Sequence, residues 1–502
     1  MKKTPVILTY LLPQPRDILF LGVLFSVLFG GPKMFTNDGD LGRHITIGNY
    51  ILETGTIPTR DVFSHTRYGE RLVPHEWLSD IGLALAHRVM GLSGDVFLAA
   101  LLGAFTILIV YEELIGRGNF RLVALFVAAW VTVVSSVHWL ARPHMFTFFF
   151  VALWAYWLER FYRNEFRNIW FFPVLMLIWA NMHGAFFAGF VIWGAYMVEW
   201  LWEFFQGRGA KDLGARLMML GISSFAVTFI NPSGWRLWAT SVGYIGNEFM
   251  TNHIVDHLSP NFHEQDMWPF LLMIVFALFS LMQDRKLHLR EAILLAGWAA
   301  MGLHTVRNLP LFAVITAPIY GGLIQPWAEK MLKWWKPAAG VGESGNILRG
   351  YVWVVAGVLF FGSILWRGIP IDQKGTGNIF LPNIMPVQAV DWLQENPQDG
   401  RMFNHFIWGG YILYRRWPAE LVFIDGQTDF YGETLFRQYF EVINLSPGWE
   451  NILDTYDVSW MIIPNHDTLS EYLKSERDGA WDAIYEDETA VIFRRAAGTA
   501  AP

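Results

Sequence analysis

Long apolar runs recur along this sequence from Asp17 to about Trp366, and they constrain its fold more than any other feature. A helix needs about 20 mostly apolar residues to cross the hydrocarbon core of a bilayer. By this criterion the sequence predicts about eleven spans, at roughly residues 17–34, 94–114, 120–138, 143–160, 168–183, 184–203, 216–231, 268–283, 290–304, 309–325 and 350–367. The predicted fold class is therefore a polytopic α-helical membrane protein.

The composition agrees with that prediction and divides the chain. Only 16% of the residues are charged and 53% are hydrophobic, whereas a soluble domain usually carries about 25% charged residues. From residue 369 the sequence becomes an ordinary mixture of polar and apolar residues. We expect a transmembrane domain at 1–368, with a long first outer loop (32–75) and a second outer loop (231–267), and a soluble α/β domain at 369–502.

The composition also excludes several classes of protein and site. The chain contains no cysteine, so disulfides, thiolate nucleophiles and cysteine metal sites are excluded. The net charge of -7 is modest and no basic cluster is interleaved with aromatic residues. A nucleic-acid partner is therefore not expected.

For two segments, the sequence is compatible with more than one placement in the membrane. The N-terminus has the basic start of a signal peptide but no clear small-residue cleavage site, so we expect a retained first span, with cleavage as the alternative. The segment Glu76–Met90 is amphipathic and short, as an in-plane or re-entrant helix would be.

The distribution of positive charge predicts the orientation of the chain. Lys and Arg residues tend to remain on the cytoplasmic side of a membrane protein. The N-terminus and one alternate set of connections are rich in them, namely Arg117–Arg121, Arg160–Arg167, Arg208–Arg216, Arg285–Arg290 and Lys330–Lys336. An odd number of spans then places the C-terminal domain outside. The predicted location is a multi-pass protein of the cell (cytoplasmic) membrane with a cytoplasmic N-terminus.

The opposite set of connections collects the polar chemistry, including ten of the fourteen histidines. Ionisable residues at membrane depth are costly and by default mark a functional cavity. The set comprises Asn37–Asp40, Arg43, His44, His65, His75, Glu76, His138, Arg142, His144, Asn181, His183, Asn231, His253, Asp256, His257, His263, Glu264, His304, Arg307 and Asn308.

The first outer loop opens with the acidic sequence Asp38-Gly39-Asp40, followed by Arg43 and His44. Two carboxylates one residue apart can share a divalent cation, or one can act as a base that the other orients. The alternative is a solvated helix cap that leads a helix over Leu41–Glu53.

Later in the same loop, the pair His75 and Glu76 begins an amphipathic helix. A Glu residue in the first turn suits the helix dipole, so this pair has a structural interpretation as well as a role in a cavity.

Two very short outer turns carry Arg142 with His144, and His183. Arg307 and Asn308 lie in a further outer connection. An arginine at these positions suits a phosphate or pyrophosphate. The alternative is a side chain that reaches to the bilayer interface.

The second outer loop contains His257, His263 and Glu264. With Asp40 they are candidate ligands for a divalent metal, although the spacing matches no diagnostic metal motif and a solvated loop would look much the same.

Strand-like runs and turns alternate in residues 401–432, and the segments VSWMIIP and ETAVIFRR read as further strands. Helices are expected at Val387–Glu395 and Thr468–Ser475. Candidate site residues at the ends of strands are Asn404, His405, Asp425, Gln427 and Asp429. No nucleotide-binding fingerprint is present, so this domain has no assigned function, with substrate capture or a lid as its expected role.

The acidic DGD after the first span, followed by GNYILETGTIPTRD, resembles the first outer loop of lipid-linked glycosyltransferases of the GT-C class. That class includes oligosaccharyltransferase catalytic subunits, protein O-mannosyltransferases and aminoarabinose transferases. The resemblance covers the general plan of about 370 residues. The chain lacks a WWDYG-type signature, and its first outer loop has Asp38-Gly39-Asp40 in place of the Asp-Glu pair common in mannosyltransferases, so the resemblance leaves the acceptor open.

The resemblance implies a polyprenyl-phosphate-linked sugar as donor, with a divalent metal, Mg²⁺ or Mn²⁺, as cofactor. Asp38 or Asp40 would be the catalytic base or the carboxylate that orients a metal. The outer Arg and His residues would receive the polyprenyl phosphate leaving group. The implied function is cell-envelope glycosylation on the non-cytoplasmic face. Two alternatives stay open, namely a transporter or flippase for a lipid or anionic solute, and a non-enzymatic membrane subunit of a larger assembly.

Overall fold

The computed structural model describes residues 10–36, 39–243, 257–282, 287–335, 350–475 and 479–496. Within these residues the chain is mostly helical. Each of the eleven apolar segments contains a helix: α1 (Pro15–Gly30), α4 (Leu92–Gly116), α5 (Arg121–Ser135), α6 (His144–Tyr162), α7 (Phe171–Met182), α8 (Ala188–Phe205), α9 (Lys211–Val227), α11 (Trp268–Leu281), α12 (Leu289–His304), α13 (Leu309–Trp335) and α14 (Val352–Trp366).

Five helical segments are long and apolar enough to cross a membrane, among the described residues. They are Pro15–Met34, Leu92–Gly116, Arg121–His138, Gly184–Phe205 and Val306–Leu332. Shorter apolar helices lie at Phe171–Met182, Gln265–Leu281 and Val352–Trp366. A multi-pass membrane protein is thus supported, while the number of eleven crossings stays a prediction.

The chain divides into two compact units, each described by itself below. The helical unit contains Met1–Phe29, Val96–Asn231 and Thr251–Ile371. The mixed unit contains Gly30–Asp95, Pro232–Met250 and Asp372–Pro502. The first outer loop therefore belongs to the same unit as the C-terminal region, which composition alone does not reveal.

In the mixed unit, two helices from the first outer loop pack with helices from the C-terminal region. The first-loop helices are α2 (Asp40–Thr54) and α3 (Trp77–Met90), and α10 (Arg236–Gly243) lies in the same unit. The C-terminal helices are α15 (Val387–Glu395), α16 (Gly409–Arg416), α17 (Thr428–Ile443), α18 (Trp449–Thr455) and α19 (Thr468–Ser475).

Glycines let α2 approach its neighbours at backbone distance. A Cβ atom on Gly42 would overlap the carbonyl oxygen of Gly410 on α16, and one on Gly48 would overlap that of Asp80 on α3. Because no side chain separates these backbones, the polar residues at the start of α2 lie close to both α3 and the C-terminal region.

The C-terminal region contains a four-stranded sheet in the order β1-β2-β4-β3. The strands are β1 (Arg401–Asn404), β2 (Val458–Pro464), β3 (Trp481–Glu486) and β4 (Ala490–Arg495). Strand β1 is parallel to β2, and the other two pairs are antiparallel. The predicted strands at VSWMIIP and ETAVIFRR and the helices α15 and α19 agree with the structure.

One part of the secondary-structure prediction is wrong. Within residues 401–432, the segment Gly409–Arg416 is the helix α16, and residues 421–427 contribute one isolated bridge, between Val422 and Ser64. The aromatic and aliphatic residues of these segments resemble strands locally, but Tyr411, Ile412 and Leu413 are buried on a helix instead. Tertiary packing overrides the local propensity here.

Candidate functional site

A cluster of buried polar side chains lies at the start of α2, in the mixed unit. We call it the Asp40 cluster. Asp40 is the first residue of α2 and is only 7% exposed, so its carboxylate is not a solvated helix cap. Asp38, the other predicted catalytic acid, lies outside the described residues. The described members of the cluster are Asp40, Arg43, His44, His75, Glu76, Asp80, Asp425, Gln427 and Asp429.

Arg43 lies at the centre of the Asp40 cluster, one helical turn after Asp40. Its Nη1 donates a hydrogen bond to Oε1 of Gln427 at 3.1 Å. Its Nη2 lies 3.6 Å from Oε2 of Glu76, and its Nε lies 3.9 Å from Oδ1 of Asp425. Burial alone would lower the pKa of Arg43, but the carboxylates, led by Asp425 and Asp40, raise it above the ordinary value. The guanidinium is therefore a permanent positive charge among several carboxylates.

The next residue on α2 forms a second buried contact. Nδ1 of His44 and Oδ1 of Asp80 are hydrogen-bonded at 2.7 Å, and both residues are at most 3% exposed. Burial raises the pKa of Asp80 well above its ordinary value, and the nearby charge of Glu76 adds to the shift while Arg43 opposes it. This contact fixes the imidazole ring of His44 against α3.

His75 lies between two carboxylates. Its Nε2 is 3.7 Å from Oε2 of Glu76, and its Nδ1 is 3.7 Å from Oδ2 of Asp429. Burial lowers the pKa of His75, but Glu76 and Asp429 outweigh that effect and raise it above the ordinary value. A protonated ring at this position would be held from both sides.

The segment Ile424–Asp429, of sequence IDGQTD, supplies the C-terminal members of the cluster. Oδ1 of Asp425 accepts a hydrogen bond from the backbone N–H of Gln427 at 2.8 Å, and Oδ2 accepts one from the hydroxyl of Tyr431 at 3.1 Å. The backbone of Gly426 lies against Asp40, because a Cβ there would overlap Oδ1 of Asp40. The sequence marked Asp425, Gln427 and Asp429 as strand-end residues but gave them no role at the first outer loop.

The Asp40 cluster carries more negative than positive groups. Five carboxylates, those of Asp40, Glu76, Asp80, Asp425 and Asp429, surround one arginine and two histidines. Burial raises the pKa of Asp425 to about 6, with Arg43 and the N–H of Gln427 opposing the shift. A carboxylate that holds its proton near neutral pH can donate as well as accept, so the cluster has proton-transfer capacity.

The predicted residues of the later outer turns form a second group, in the helical unit. We call it the His144 group. The rings of His138 and His144 stack with centroids 4.6 Å apart, and Nε2 of His144 is 3.0 Å from the carbonyl oxygen of His138. Arg142, His183 and Arg307 all act electrostatically on His144. The structure therefore brings these four predicted residues, Arg142, His144, His183 and Arg307, within electrostatic range of one another.

Neighbouring side chains orient the members of the His144 group. Nδ1 of His183 is 2.9 Å from the hydroxyl of Thr147, which also accepts a hydrogen bond from the indole N–H of Trp179 at 2.9 Å. Nη1 of Arg307 is 2.8 Å from Nε2 of His257. Asn308 instead donates to the carbonyl oxygen of Met301 at 3.2 Å, as a residue that closes the end of α12 would do.

The predicted metal ligands do not form a metal site among the described residues. No group of three or more His, Asp or Glu side chains in this part of the chain is arranged to hold a metal ion. His257 faces the cationic Arg307, while the exposed Glu264 accepts a hydrogen bond from Asn261 and His263 is also exposed. Asp38 lies outside the described residues, so the divalent metal stays a prediction, and no step below depends on it.

Comparison with solved structures finds similar folds. AglB, an archaeal oligosaccharyltransferase from Archaeoglobus fulgidus solved in complex with an inhibitory peptide and a dolichol-phosphate, is 12% identical with a TM-score of 0.61. The match covers 89% of this chain and 69% of that chain. The Archaeoglobus fulgidus oligosaccharyltransferase in complex with Zn and sulfate is 13% identical with a TM-score of 0.53, over 89% and 68% of the two chains.

ArnT from Cupriavidus metallidurans in the apo state is also similar, at 13% identity and a TM-score of 0.51. That match covers 97% of this chain and 98% of ArnT. No protein-family profile matches the sequence, and no curated protein matches it. Oligosaccharyltransferase and ArnT are both GT-C glycosyltransferases, so the predicted resemblance to that class is confirmed at the level of the fold.

Proposed function

We propose that this chain is a membrane glycosyltransferase that transfers a sugar from a polyprenyl-phosphate donor to an acceptor on the non-cytoplasmic face. The observation that carries the proposal is the buried carboxylate of Asp40 beside the permanently charged Arg43. The shared fold with an oligosaccharyltransferase and ArnT supports it.

The proposed reaction is a single displacement at the anomeric carbon of the donor sugar. A nucleophilic atom of the acceptor forms a bond to that carbon while the bond from the carbon to the phosphate oxygen breaks. The polyprenyl phosphate leaves with the electron pair of the broken bond. The acceptor loses its proton to a carboxylate, for which Asp40 is the first candidate and Asp38 the second.

Arg43 has two roles in this proposal. Its positive charge offsets part of the negative charge of Asp40 and the other carboxylates of the cluster. Its other contacts, with Gln427, Glu76 and Asp425, hold the guanidinium in place. Since a general base must be placed within hydrogen-bond reach of the proton that it takes, this rigidity contributes to the rate.

The remaining polar members of the Asp40 cluster are proposed to bind the substrates. His75 and Glu76 are half-buried, so they can contact a bound molecule. A sugar presents hydroxyl groups that both donate and accept hydrogen bonds, and the mixture of imidazole and carboxylate in the cluster can pair with both kinds. His44 is fully packed against Asp80, so we propose that it positions Arg43 and the start of α3.

The His144 group, considered by itself, is proposed to bind a phosphate-bearing group. Arg142 and Arg307 supply guanidinium groups, which match phosphate oxygens in geometry and charge. The AglB structure was solved with a dolichol-phosphate, which supports a lipid-linked phosphate as the donor class for this fold.

Asp40→Asn provides the test. The protein would be purified, reconstituted in liposomes and supplied with a panel of polyprenyl-phosphate sugars labelled in the sugar, with membrane extracts as the acceptor source. Release of polyprenyl phosphate and transfer of label would both be measured. We expect Asp40→Asn to lower the transfer rate by about 10²–10⁴-fold, which is the contribution of general base catalysis. Asp38→Asn, tested alongside, identifies which of the two carboxylates takes the proton.

Asp399→Asn, at an exposed acid of the same unit, is the matched control and should transfer at the wild-type rate. Full transfer by both Asp38→Asn and Asp40→Asn would remove the carboxylates from the mechanism. Movement of intact labelled donor across the bilayer without release of polyprenyl phosphate would favour a flippase instead.

A further inference from the structure

A line of four buried polar side chains runs from the Asp40 cluster into the first outer loop, within the mixed unit. We call it the Tyr431 line. Its members, in spatial order, are Asp425, Tyr431, Ser64 and Asp61, and each is at most 3% exposed. Only Asp425 belongs to the Asp40 cluster, and the proposed transfer step gives the other three no role. Buried polar groups are costly unless they are hydrogen-bonded, so the contacts along the line need an account.

Hydrogen bonds join the members of the line. The Tyr431 hydroxyl donates to Oδ2 of Asp425 at 3.1 Å, and the Ser64 hydroxyl donates to Oδ2 of Asp61 at 2.6 Å. Between these ends the two hydroxyls are neighbours, since burial raises the pKa of Tyr431 and a side-chain hydrogen bond from Ser64 opposes that shift. Three contacts therefore connect two carboxylates through two hydroxyls.

Backbone hydrogen bonds hold the two segments of the line together. The N–H of Val422 donates to the carbonyl oxygen of Phe63 at 3.1 Å, and the N–H of His65 donates to that of Val422 at 3.0 Å. These bonds flank Ser64 in the first outer loop and lie just before Asp425 in the C-terminal region. The side chains of the line are thus fixed at both ends by their own backbone.

The line has one hydrogen atom fewer than it has contacts. Three contacts need three protons, and each hydroxyl supplies one. When both carboxylates are ionised, each hydroxyl donates to its own carboxylate and no hydrogen lies between the two hydroxyls. One added proton, on either acid, makes all three contacts hydrogen bonds that point in the same direction. The line is complete only when the two acids hold one proton between them.

The surroundings of the two acids favour that added proton. Burial raises the pKa of Asp61 and that of Asp425, although hydrogen bonds within each segment oppose the shift. The charge of Glu70 adds to the shift at Asp61, and that of Asp40 adds to the shift at Asp425 while Arg43 opposes it. The charge of Asp61 also raises the pKa of Asp425, so the two acids titrate as a coupled pair.

The far end of the line lies close to the surface. The backbone N–H of Asp61 donates to the carbonyl oxygen of Glu70 at 2.9 Å, and the side chain of Glu70 is 53% exposed. The near end, Asp425, lies in the Asp40 cluster. The line therefore leads from the proposed site of transfer toward solvent.

We propose that the two acids of the Tyr431 line share one proton through its hydroxyls, and that this relay takes up the proton that the acceptor loses. A proton released into the Asp40 cluster enters the line at Asp425 and passes to the oxygen of Tyr431. The Tyr431 proton then passes to the oxygen of Ser64, and the Ser64 proton passes to Oδ2 of Asp61. One proton moves, and each hydroxyl ends with one hydrogen as before. The second part of the proposal rests on the proposed function.

Infrared spectroscopy of the full-length protein in detergent, without substrate, tests the shared proton. The C=O band of protonated carboxyl groups would be followed across the pKa of about 6 at Asp425. An asparagine amide resembles a protonated carboxyl group and supplies the missing donor. We therefore expect Asp61→Asn and Asp425→Asn each to remove the band of one carboxyl group. The variant with both substitutions should lose no more than either single variant.

Tyr431→Phe breaks the line and keeps the ring. In this background Asp61→Asn should no longer remove the band of the other acid. Tyr439→Phe is the matched control, because Tyr439 lies on the same helix, α17, and its buried hydroxyl accepts from the backbone N–H of Phe406 at 3.1 Å. It should leave the coupling intact. Ser64→Ala breaks the line at its other hydroxyl, should Tyr431→Phe fail to fold.

The rate of sugar transfer tests whether the reaction uses the relay. Tyr431→Phe should lower kcat by about 100-fold, the lower end of the range for general acid–base catalysis, with KM unchanged. Its solvent deuterium isotope effect on kcat should rise, because proton departure becomes the slow step. Tyr439→Phe should match the wild type in both. A side chain that only packs would not change the isotope effect.

Two results would overturn the proposal. Losses of the infrared band that add up when Asp61→Asn and Asp425→Asn are combined would show that each acid holds its own proton. Transfer by Tyr431→Phe at the rate of an active wild type would remove the relay from the reaction. A wild type that transfers no sugar would contradict the proposed function instead, and the infrared result, which needs no substrate, would still decide whether the proton is shared.

Discussion

Two buried clusters of charged residues, one in each unit, differ in the lengths of their ion pairs. In the helical unit, an ion-pair network joins α4, α6, α8 and α12 through contacts of 2.5–3.3 Å. In the Asp40 cluster, the contacts of Arg43 and His75 with carboxylates are longer, at 3.6–3.9 Å. The members of the ion-pair network are Glu113, Arg117, Glu159, Arg160, Arg163, Glu199, Arg290 and Glu291.

Charge balance separates the two clusters further. The ion-pair network joins four arginines to four glutamates, so its charges cancel without any ligand. The Asp40 cluster has five carboxylates around one arginine and two histidines. The short ion pairs and balanced charge of the ion-pair network favour a structural role, because little net charge is left to act on a substrate. Longer contacts and an excess of carboxylates favour a role in binding or catalysis.

The largest effect is expected from an opening of the ion-pair network. Glu159 is 2% exposed, and it contacts Arg117, Arg163, Arg290 and the hydroxyl of Tyr196. Glu159→Gln leaves buried guanidinium groups without their shared counter-charge. We expect a loss of about 3–5 kcal/mol in the free energy of unfolding, measured by denaturation in detergent.

The control for Glu159→Gln is Glu433→Gln, which breaks the exposed pair of Glu433 with Arg437 and should cost less than about 1 kcal/mol. The transfer rate per folded molecule should not change in either variant. A tenfold loss of that rate in stable Glu159→Gln protein would contradict the structural role of the network.

The two clusters also differ in how far the sequence predicted them. The sequence predicts the first-loop half of the Asp40 cluster, because polar residues follow an apolar span within a short stretch. These residues are Asp40, Arg43, His44, His75 and Glu76. The C-terminal half could not be paired with it. Asp425 and Gln427 are more than 380 residues from Arg43 in the chain, and their segment was interpreted as part of a strand. Gly426 lies between them. In the sequence it indicates a turn, and in the structure its backbone lies against Asp40.

The ion-pair network was missed altogether, although the sequence carried a signal for it. Glu113, Glu159 and Glu199 each lie in or beside a predicted span, where a lone acid is costly and implies a cationic partner. The sequence places their arginine partners in positively charged loops but does not pair them with these glutamates. The pairing of Glu199 with Arg290, across 91 residues, depends on which helices pack together, and no local pattern contains that information.

A smaller effect is expected from a change of shape, without change of charge, in the Asp40 cluster. Gly426→Ala adds one methyl group where Oδ1 of Asp40 lies. The carboxylate must move, and a displacement of about 1 Å at a reacting group can cost up to about 100-fold in rate. We expect a 10–100-fold loss of transfer with little change in substrate binding. Gly30→Ala, at a glycine with φ of -61° and nothing within 4 Å of its added Cβ, is the matched control.

Gly426→Ala distinguishes the two interpretations of the IDGQTD segment. Normal transfer by a folded Gly426→Ala protein would mean that the segment only packs against α2. A loss in Gly426→Ala with no loss in Asp40→Asn would mean that the segment acts through another residue, in which case Asp38 becomes the first candidate for the base.

The smallest effect is a dependence of stability on pH that only the unbalanced cluster should show. Burial raises the pKa of Asp425 from 3.8 to about 6. Between these values the folded protein binds more protons than the unfolded chain, so the contribution of this group to stability falls as pH rises. Each pKa unit corresponds to about 1.4 kcal/mol, so a fall of up to about 3 kcal/mol is expected between pH 4 and pH 7.

Because other carboxylates titrate over the same range, the quantity to measure is the difference in unfolding free energy between wild type and Asp425→Asn. The stability of the wild type relative to Asp425→Asn should therefore fall steadily as pH rises. A wild type that gains on Asp425→Asn over this range would mean that Arg43 alone neutralises Asp425, and the contrast between the two clusters would then lose its electrostatic basis.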